Sequence, residues 1–180
     1  MIRNPSVTDA VWCAERHGIM VAGVGAAEAL HGPLFAFFAS RQCPGTVIRA
    51  ATEWALRQAR ERRTVIGGFH SPLEQSVLRL LVEARSPVIV ALARPVVSAT
   101  LRSGWREALV AGRMTVVSDS TRPHRLTEEA AETRNNLAAR LADCIFIAHA
   151  SSGGQLALQG TRWLAEQRDV RRIGDTDQRM

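Results

Sequence analysis

A β-branched run, Thr64-Val65-Ile66, ends in Gly67-Gly68-Phe69-His70 and passes at once into Ser71-Pro72-Leu73-Glu74. Strand, bare turn and helix start in succession make a place to hold an anion. Glycines let a ligand approach the backbone, and the free N–H groups and positive dipole end of a helix favour a phosphate or carboxylate. Ser71 reads as the N-cap, Pro72 as the first helical residue and Glu74 as the far half of a capping box. Short glycine turns also serve simply to pack a strand against a helix, so the motif alone does not establish a ligand. A second glycine loop, Ser152-Gly153-Gly154, offers similar donors. The third feature is Arg134, which lies on the apolar helical stripe of Ala130, Leu137, Ala138 and Leu141. A charge on a buried stripe needs a partner. Two are open: a carboxylate such as Glu74, or a ligand in the cleft.

The elements that must position these residues alternate along the chain. Strands are expected at Leu34–Ala39, Thr64–Gly67, Pro87–Leu92, Met114–Ser118 and Cys144–Ala148, with a short one at Ile19–Ala22. Helices are expected over 46–62, from Ser71 to Ala84, and near 103–111, 126–141 and 155–167, with one further turn at Ala26–Leu30. Such alternation implies an α/β fold with a parallel sheet and helices on both faces. Ligands of these sheets bind outside the carboxyl ends of the strands. The residues expected there are basic: Arg41, His70, Arg94, Arg122, His124, Arg125 and His149, with Asp119 the chief acid. Arg60, Arg62 and Arg63 fall at the opposite edge and read as a solvated face.

With 180 residues and 46% hydrophobic content, the chain is long enough for one domain with a substantial core. The net charge is +6, and every one of the 23 basic residues is arginine. The absence of lysine excludes Schiff-base chemistry and a Walker-type phosphate lysine; arginine supplies flat, bidentate donors suited to phosphates. Cys13, Cys43 and Cys144 form no disulfide or zinc spacing. The apolar stretch from Ile19 to Ala39 is interrupted by glycines, Glu28, His31 and Pro33, so no membrane span is expected and the protein reads as cytoplasmic.

Several motifs in register resemble one family. Ser40-Arg41-Gln42-Cys43-Pro44-Gly45, the Gly67–Glu74 run, Pro87-Val88-Ile89-Val90 with Ala93-Arg94, Arg134-Asn135 and Ala148-His149-Ala150-Ser151-Ser152-Gly153-Gly154 together are similar to short proteins of the DNA-processing protein A (DprA, Smf) family. The resemblance runs from about Val21 to Glu166. It implies a Rossmann-like three-layer fold that binds nucleotides or nucleic acid. It also implies a ligand site of Ser40, Arg41 and Gly45 from the first loop, Gly67, Gly68 and Ser71 from the second, the pair Arg134 and Asn135, and Ser152, Gly153 and Gly154 from the last. His70, Arg94 and His149 complete the expected phosphate-binding set. Full-length members carry accessory domains for which this chain has no room, and its first loop has Cys43-Pro44 where they have serine and tyrosine. Recombinase loading is therefore not expected to transfer. The division that follows is a lead-in over 1–31, a Rossmann-like domain over 32–168 and a polar, flexible tail over 169–180.

The expected partner is single-stranded DNA or a nucleotide, held without chemical change and without a cofactor, by a monomer or a homodimer. Aromatic residues are few outside the core strands, which leaves Phe69 as the stacking candidate for a base. An alternative is a nucleotide-hydrolysing enzyme of the lysine-decarboxylase-like Rossmann class, with Glu74 as general acid or base. Gly153-Gly154-Gln155-Leu156-Ala157 resembles only the glycines of that class. A metal site built from Cys43, His70 and His149, each following a strand, is a further alternative.

Overall fold

The structure is a computed structural model that describes residues 11–98, 103–119 and 128–173. Arg122, His124 and Arg125, three of the basic residues expected near the ligand, lie outside the described residues. The strands are β1 (Trp12–Arg16), β2 (Ile19–Gly25), β3 (Leu34–Ala39), β4 (Thr64–Gly67), β5 (Val88–Ala91), β6 (Met114–Ser118), β7 (Cys144–His149) and β8 (Val170–Arg172). The helices are α1 (Gly45–Arg60), α2 (Pro72–Glu83), α3 (Arg106–Val110), α4 (Glu128–Leu141) and α5 (Gln155–Ala165).

All eight strands form one sheet in the order β1-β2-β6-β5-β4-β3-β7-β8. The six strands from β6 to β8 in this order are parallel, while β2 runs antiparallel to both β6 and β1. The central strands read as unbroken apolar runs because both their faces are covered. One face carries α1, α2 and α3, with Trp54, Leu78 and Ala108 packed on Phe37, Val65 and Val90. The other carries α4 and α5, with Leu137 and Trp163 packed on Ala36, Phe38, Ile66 and Ile147. Phe37 stacks on Trp54 at 5.1 Å between ring centroids, and Phe38 meets Trp163 at 4.9 Å on the opposite face.

The chain winds from β3 through β4 and β5 to β6 in one direction, then crosses back by α4 to place β7 on the other flank of β3. The strand order therefore reverses between β3 and β7. In an open α/β sheet the crevice outside the carboxyl ends at that reversal is where ligands sit.

Two segments set apart on sequence grounds join this same sheet. The lead-in supplies β1 and β2, and residues 170–172 of the expected flexible tail form β8 alongside β7. The polar sequence of β8 is that of an edge strand, with Arg171 and Arg172 exposed. The single helical turn expected near residue 27 is a 3₁₀ turn over Ala27–Leu30.

Candidate anion-binding site at the carboxyl edge of the sheet

The start of α2 has the expected capping box, and the box consumes its own donors. Glu74 N–H donates to Ser71 Oγ at 3.3 Å, while Glu74 Oε2 accepts the Ser71 and His70 N–H groups at 3.2 and 2.8 Å. Its other oxygen, Oε1, accepts the Ala39 N–H at 3.0 Å. One buried carboxylate thus ties the carboxyl end of β3 to the turn after β4. Burial pushes the Glu74 carboxyl up, and the three backbone donors and the nearby charge of Arg134 pull against that rise. The consequence for Ser71 is direct: its N–H, expected to face a phosphate, serves Glu74, and its hydroxyl caps the helix as expected.

Phe69 is a correction to the expectation that it stacks on a base. It is 4% exposed, with its backbone in the left-handed region at φ 51°, and it turns its ring inward over Gly67. A methyl group at Gly67 would stand 3.1 Å from the Phe37 carbonyl and 3.3 Å from the Phe69 ring, so any side chain there would crowd both.

Gly68 is bare for a different reason. A Cβ built there would lie 2.1 Å from Nε and 2.6 Å from Cδ of Arg134. The arginine side chain rests across the glycine at the end of β4, carried there by α4, which packs over β3, β4 and β5. Gly68 makes room for Arg134, where sequence reasoning had it making room for a ligand. Arg134 is 7% exposed, and among the described residues it donates to Asn135 Oδ1, 3.4 Å from Nη2. Its Nε is buried with no hydrogen-bond partner among the described residues. Arg134 and Glu74 attract through space, but no hydrogen bond or ion pair of the described residues joins them. Burial lowers the Arg134 pKa, and the charge of Glu74 partly offsets this. A guanidinium offers planar donors that suit a phosphate or carboxylate oxygen.

The loops after β3 and β7 are stitched together beside it. Ser40 N–H donates to the His149 carbonyl at 2.9 Å, and Ser40 Oγ accepts the Ser151 N–H at 3.0 Å. Two helices start here without a side-chain cap: α1 at Pro44-Gly45 and α5 at Gly154. Gly153 has φ 68°, the left-handed turn that brings the chain into α5. Ser152, Gly153, Arg41, His70 and Arg94 are exposed, and His149 is half-buried. Cys43 donates its thiol to the Ser40 carbonyl at 3.2 Å, and burial together with the charge of Glu74 pushes that thiol up. Cys43, His70 and His149 do not converge: among the described residues, no three His, Cys, Asp or Glu side chains gather on a metal-sized site. A depression of about 500 Å³ opens beyond Ser152 and Gly153, along Leu156 and Leu164 of α5 and Arg172 of β8. It lies to the side of the Gly68–Arg134 pair rather than over it.

Sequence reasoning paired Arg134 with Asn135 but missed the residues behind Asn135. Asn135 Nδ2 donates to Gln159 Oε1 at 3.1 Å, and Gln159 Nε2 donates to the Glu132 carbonyl and to Asn136 Oδ1 at 3.2 and 3.3 Å. Gln159 sits on the buried stripe of α5 with Leu156, Gly160 and Trp163. A polar residue on an apolar stripe is the signal that singled out Arg134; at Gln159 it was available and went unread.

No protein-family model matches the sequence, and no curated protein sequence is similar to it. Solved structures are similar in three dimensions. DNA processing protein A from Streptococcus pneumoniae superposes with a TM-score of 0.69 at 14% identity, over 85% of this chain and 54% of that one. DNA processing protein A from Helicobacter pylori gives 0.69 at 13% identity, over 85% of this chain and 71% of that one. The molybdenum cofactor carrier protein of Chlamydomonas reinhardtii gives 0.54 at 13% identity, over 78% of this chain and 76% of that one. The chain spans about half the length of the S. pneumoniae protein, and what it shares with these structures is the α/β architecture, the DprA-like Rossmann-type fold.

Proposed function

We propose that this chain binds the phosphates of single-stranded DNA or of a nucleotide at the carboxyl edge of its sheet, with Arg134 as the central cation. The observation that carries the reading is the buried Arg134 guanidinium laid across Gly68, with Nε unpartnered among the described residues. The uncapped starts of α1 and α5 and the exposed Arg41 and Arg94 supply further donors on the same edge. The H. pylori protein of like fold binds single-stranded DNA, which supports that partner over an unrelated anion. Glu74 favours binding over hydrolysis, because both its oxygens already accept backbone N–H groups, which occupies the acid or base candidate.

The test is Arg134→Gln, measured by fluorescence anisotropy with a labelled oligo-dT at several salt concentrations. Affinity falls about tenfold, on the scale of one charge-assisted hydrogen bond, and the salt slope shrinks by about 0.7, the share of one phosphate on a single strand. Competition with mononucleotides separates a strand binder from a nucleotide binder. Unchanged affinity with a lowered melting midpoint assigns Arg134 to the fold and overturns the proposal.

A further inference from the structure

From the amide groups between α4 and α5 we infer that Gln159 is a positioning residue for Arg134, the middle link of a hydrogen-bond relay that starts at Trp163 and reaches Arg134 through Asn135. The inference deepens the phosphate-binding reading and rests on it for its function, while the relay itself stands on the geometry.

An amide side chain presents oxygen and nitrogen almost interchangeably, so its direction is set by neighbours that only donate or only accept. Two such neighbours anchor this chain. The Trp163 indole N–H only donates, and it lies 3.1 Å from Asn136 Oδ1, so the Asn136 oxygen must face it. The Glu132 main-chain carbonyl only accepts, and it lies 3.2 Å from Gln159 Nε2, so the Gln159 nitrogen must face it. Both anchors give one answer, because the same Gln159 nitrogen donates to Asn136 Oδ1 at 3.3 Å. The Gln159 oxygen is then obliged to accept Asn135 Nδ2, at 3.1 Å. That leaves Asn135 Oδ1, an acceptor, facing Arg134 Nη2 at 3.4 Å. With the amide directions reversed, an NH₂ group would meet the guanidinium donor to donor.

Burial makes the relay more than a surface decoration. Gln159 is 1% exposed and Trp163 2% exposed, so each unmade bond would leave a dehydrated polar atom. A network dehydrated at Gln159 and Trp163 that ends on a buried cation is arranged to hold that cation. Asn135 secures one nitrogen of Arg134, and Gly68 leaves space for the shaft.

The experiment compares Gln159→Met, which keeps the length and apolar fit of the side chain but removes both amide atoms, with wild type in two backgrounds. In the Arg134 background, oligo-dT binding weakens at least fivefold; in the Arg134→Gln background the same change weakens it less than twofold. A purely structural Gln159 would produce the same loss in both backgrounds, and that result overturns the inference. A ligand-independent readout separates this outcome from failure of the binding proposal. The Arg134 Nε–Hε cross-peak in a ¹H–¹⁵N spectrum, assigned by its loss in Arg134→Gln, shifts or broadens in Gln159→Met; an unmoved cross-peak overturns the relay. Should Gln159→Met fail to fold, Trp163→Phe keeps a ring against Phe38 and removes only the anchoring N–H, and the same cross-peak decides. Wild type that does not bind oligo-dT or mononucleotides defeats the proposed function alone.

Discussion

The C-terminal end of α4 and its middle both hold arginines, and they use them in opposite ways. At the C-terminal end, Arg168 Nη2 donates to the carbonyls of Ala139 at 2.8 Å, Arg140 and Ala142. Arg16 donates from Nε to the Leu141 carbonyl at 2.7 Å, from Nη2 to Asp143 at 2.6 Å, and from Nη1 to the Leu30 carbonyl. The Ala139, Arg140 and Leu141 carbonyls stand in the last turn of α4, at the negative end of its dipole, and cationic donors belong there. Earlier in the same helix Arg134 is more deeply buried than most charged groups tolerate, yet among the described residues it makes one long hydrogen bond, to its sequence neighbour. In a chain whose cations are all arginine, charge counting cannot separate a structural arginine from one kept for a ligand. Donor occupancy can.

The contrast breaks first, if it breaks, at Arg16. Arg16→Met removes three hydrogen bonds and leaves Asp143 with only the Leu34 N–H, 2.7 Å away, and the more distant His17 ring. The expected loss is about 3 kcal/mol by urea denaturation, the scale of losing charge-assisted bonds at a largely buried side chain. Oligo-dT affinity of the folded protein stays as in wild type. A parallel fall in affinity would show that both arginines serve the ligand.

Glu74 ranks second, with a loss of about 2 kcal/mol expected for Glu74→Gln, because an amide NH₂ must then face one of three backbone donors. The effect carries a pH signature. Burial raises the Glu74 carboxyl above its value in the unfolded chain, so the protonated form contributes stability that is fully present below the unfolded pKa and lost as pH rises through the folded one. The gap between wild type and Glu74→Gln is therefore widest in acid and narrows as pH rises. A gap that widens with pH would mean that Glu74 works as a permanent carboxylate, held down by its donors and Arg134.

Much of this architecture was legible because local and global signals agree. The β-branched runs of β4 to β7 are buried on both faces, and the Ser71–Glu74 box announces α2 without help from tertiary contacts. β1 and β8 were not legible, since Trp12–Arg16 and Val170–Arg172 alternate too briefly or are too polar, and acquire strand structure only by pairing with β2 and β7. Helix ends were blurred for a related reason. After α1, α2 and α5 the left-handed stop is taken by Arg62, Arg85 and Gln167 instead of glycine, so no residue type marks it. At the site, spacing identified Gly68 and Arg134 separately, but their mutual contact is a distance across the fold. Phe69 misled because a strand-end aromatic looks exposed until its left-handed backbone is known to turn it inward.

Gly68→Ala sharpens the comparison at smaller cost. Its methyl would overlap the Arg134 shaft, and because the obstructed atoms belong to a flexible side chain, the arginine moves and the strand stays. The expected destabilisation is about 1 kcal/mol, at the low end for overpacking. Affinity for oligo-dT falls to the level of Arg134→Gln, and the double variant binds no worse than either single one. Additive losses would mean that Gly68 also meets the ligand.

The smallest effects belong to Arg41 and Arg94, which are exposed and stand after β3 and β5 on the same edge. Their stability contribution is expected to be within about 0.5 kcal/mol, as for surface positions generally. If a strand lies along the edge, each of Arg41→Gln and Arg94→Gln reduces oligo-dT affinity two- to threefold and the salt slope by up to about 0.7, since each then faces a successive phosphate. β4 lies between β3 and β5, so a strand running along the edge passes both arginines. Loss of oligonucleotide affinity in both variants with mononucleotide affinity intact therefore identifies a strand-tracking surface around Arg134. Loss in neither variant confines the ligand to the Arg134 pocket and makes a small nucleotide the partner.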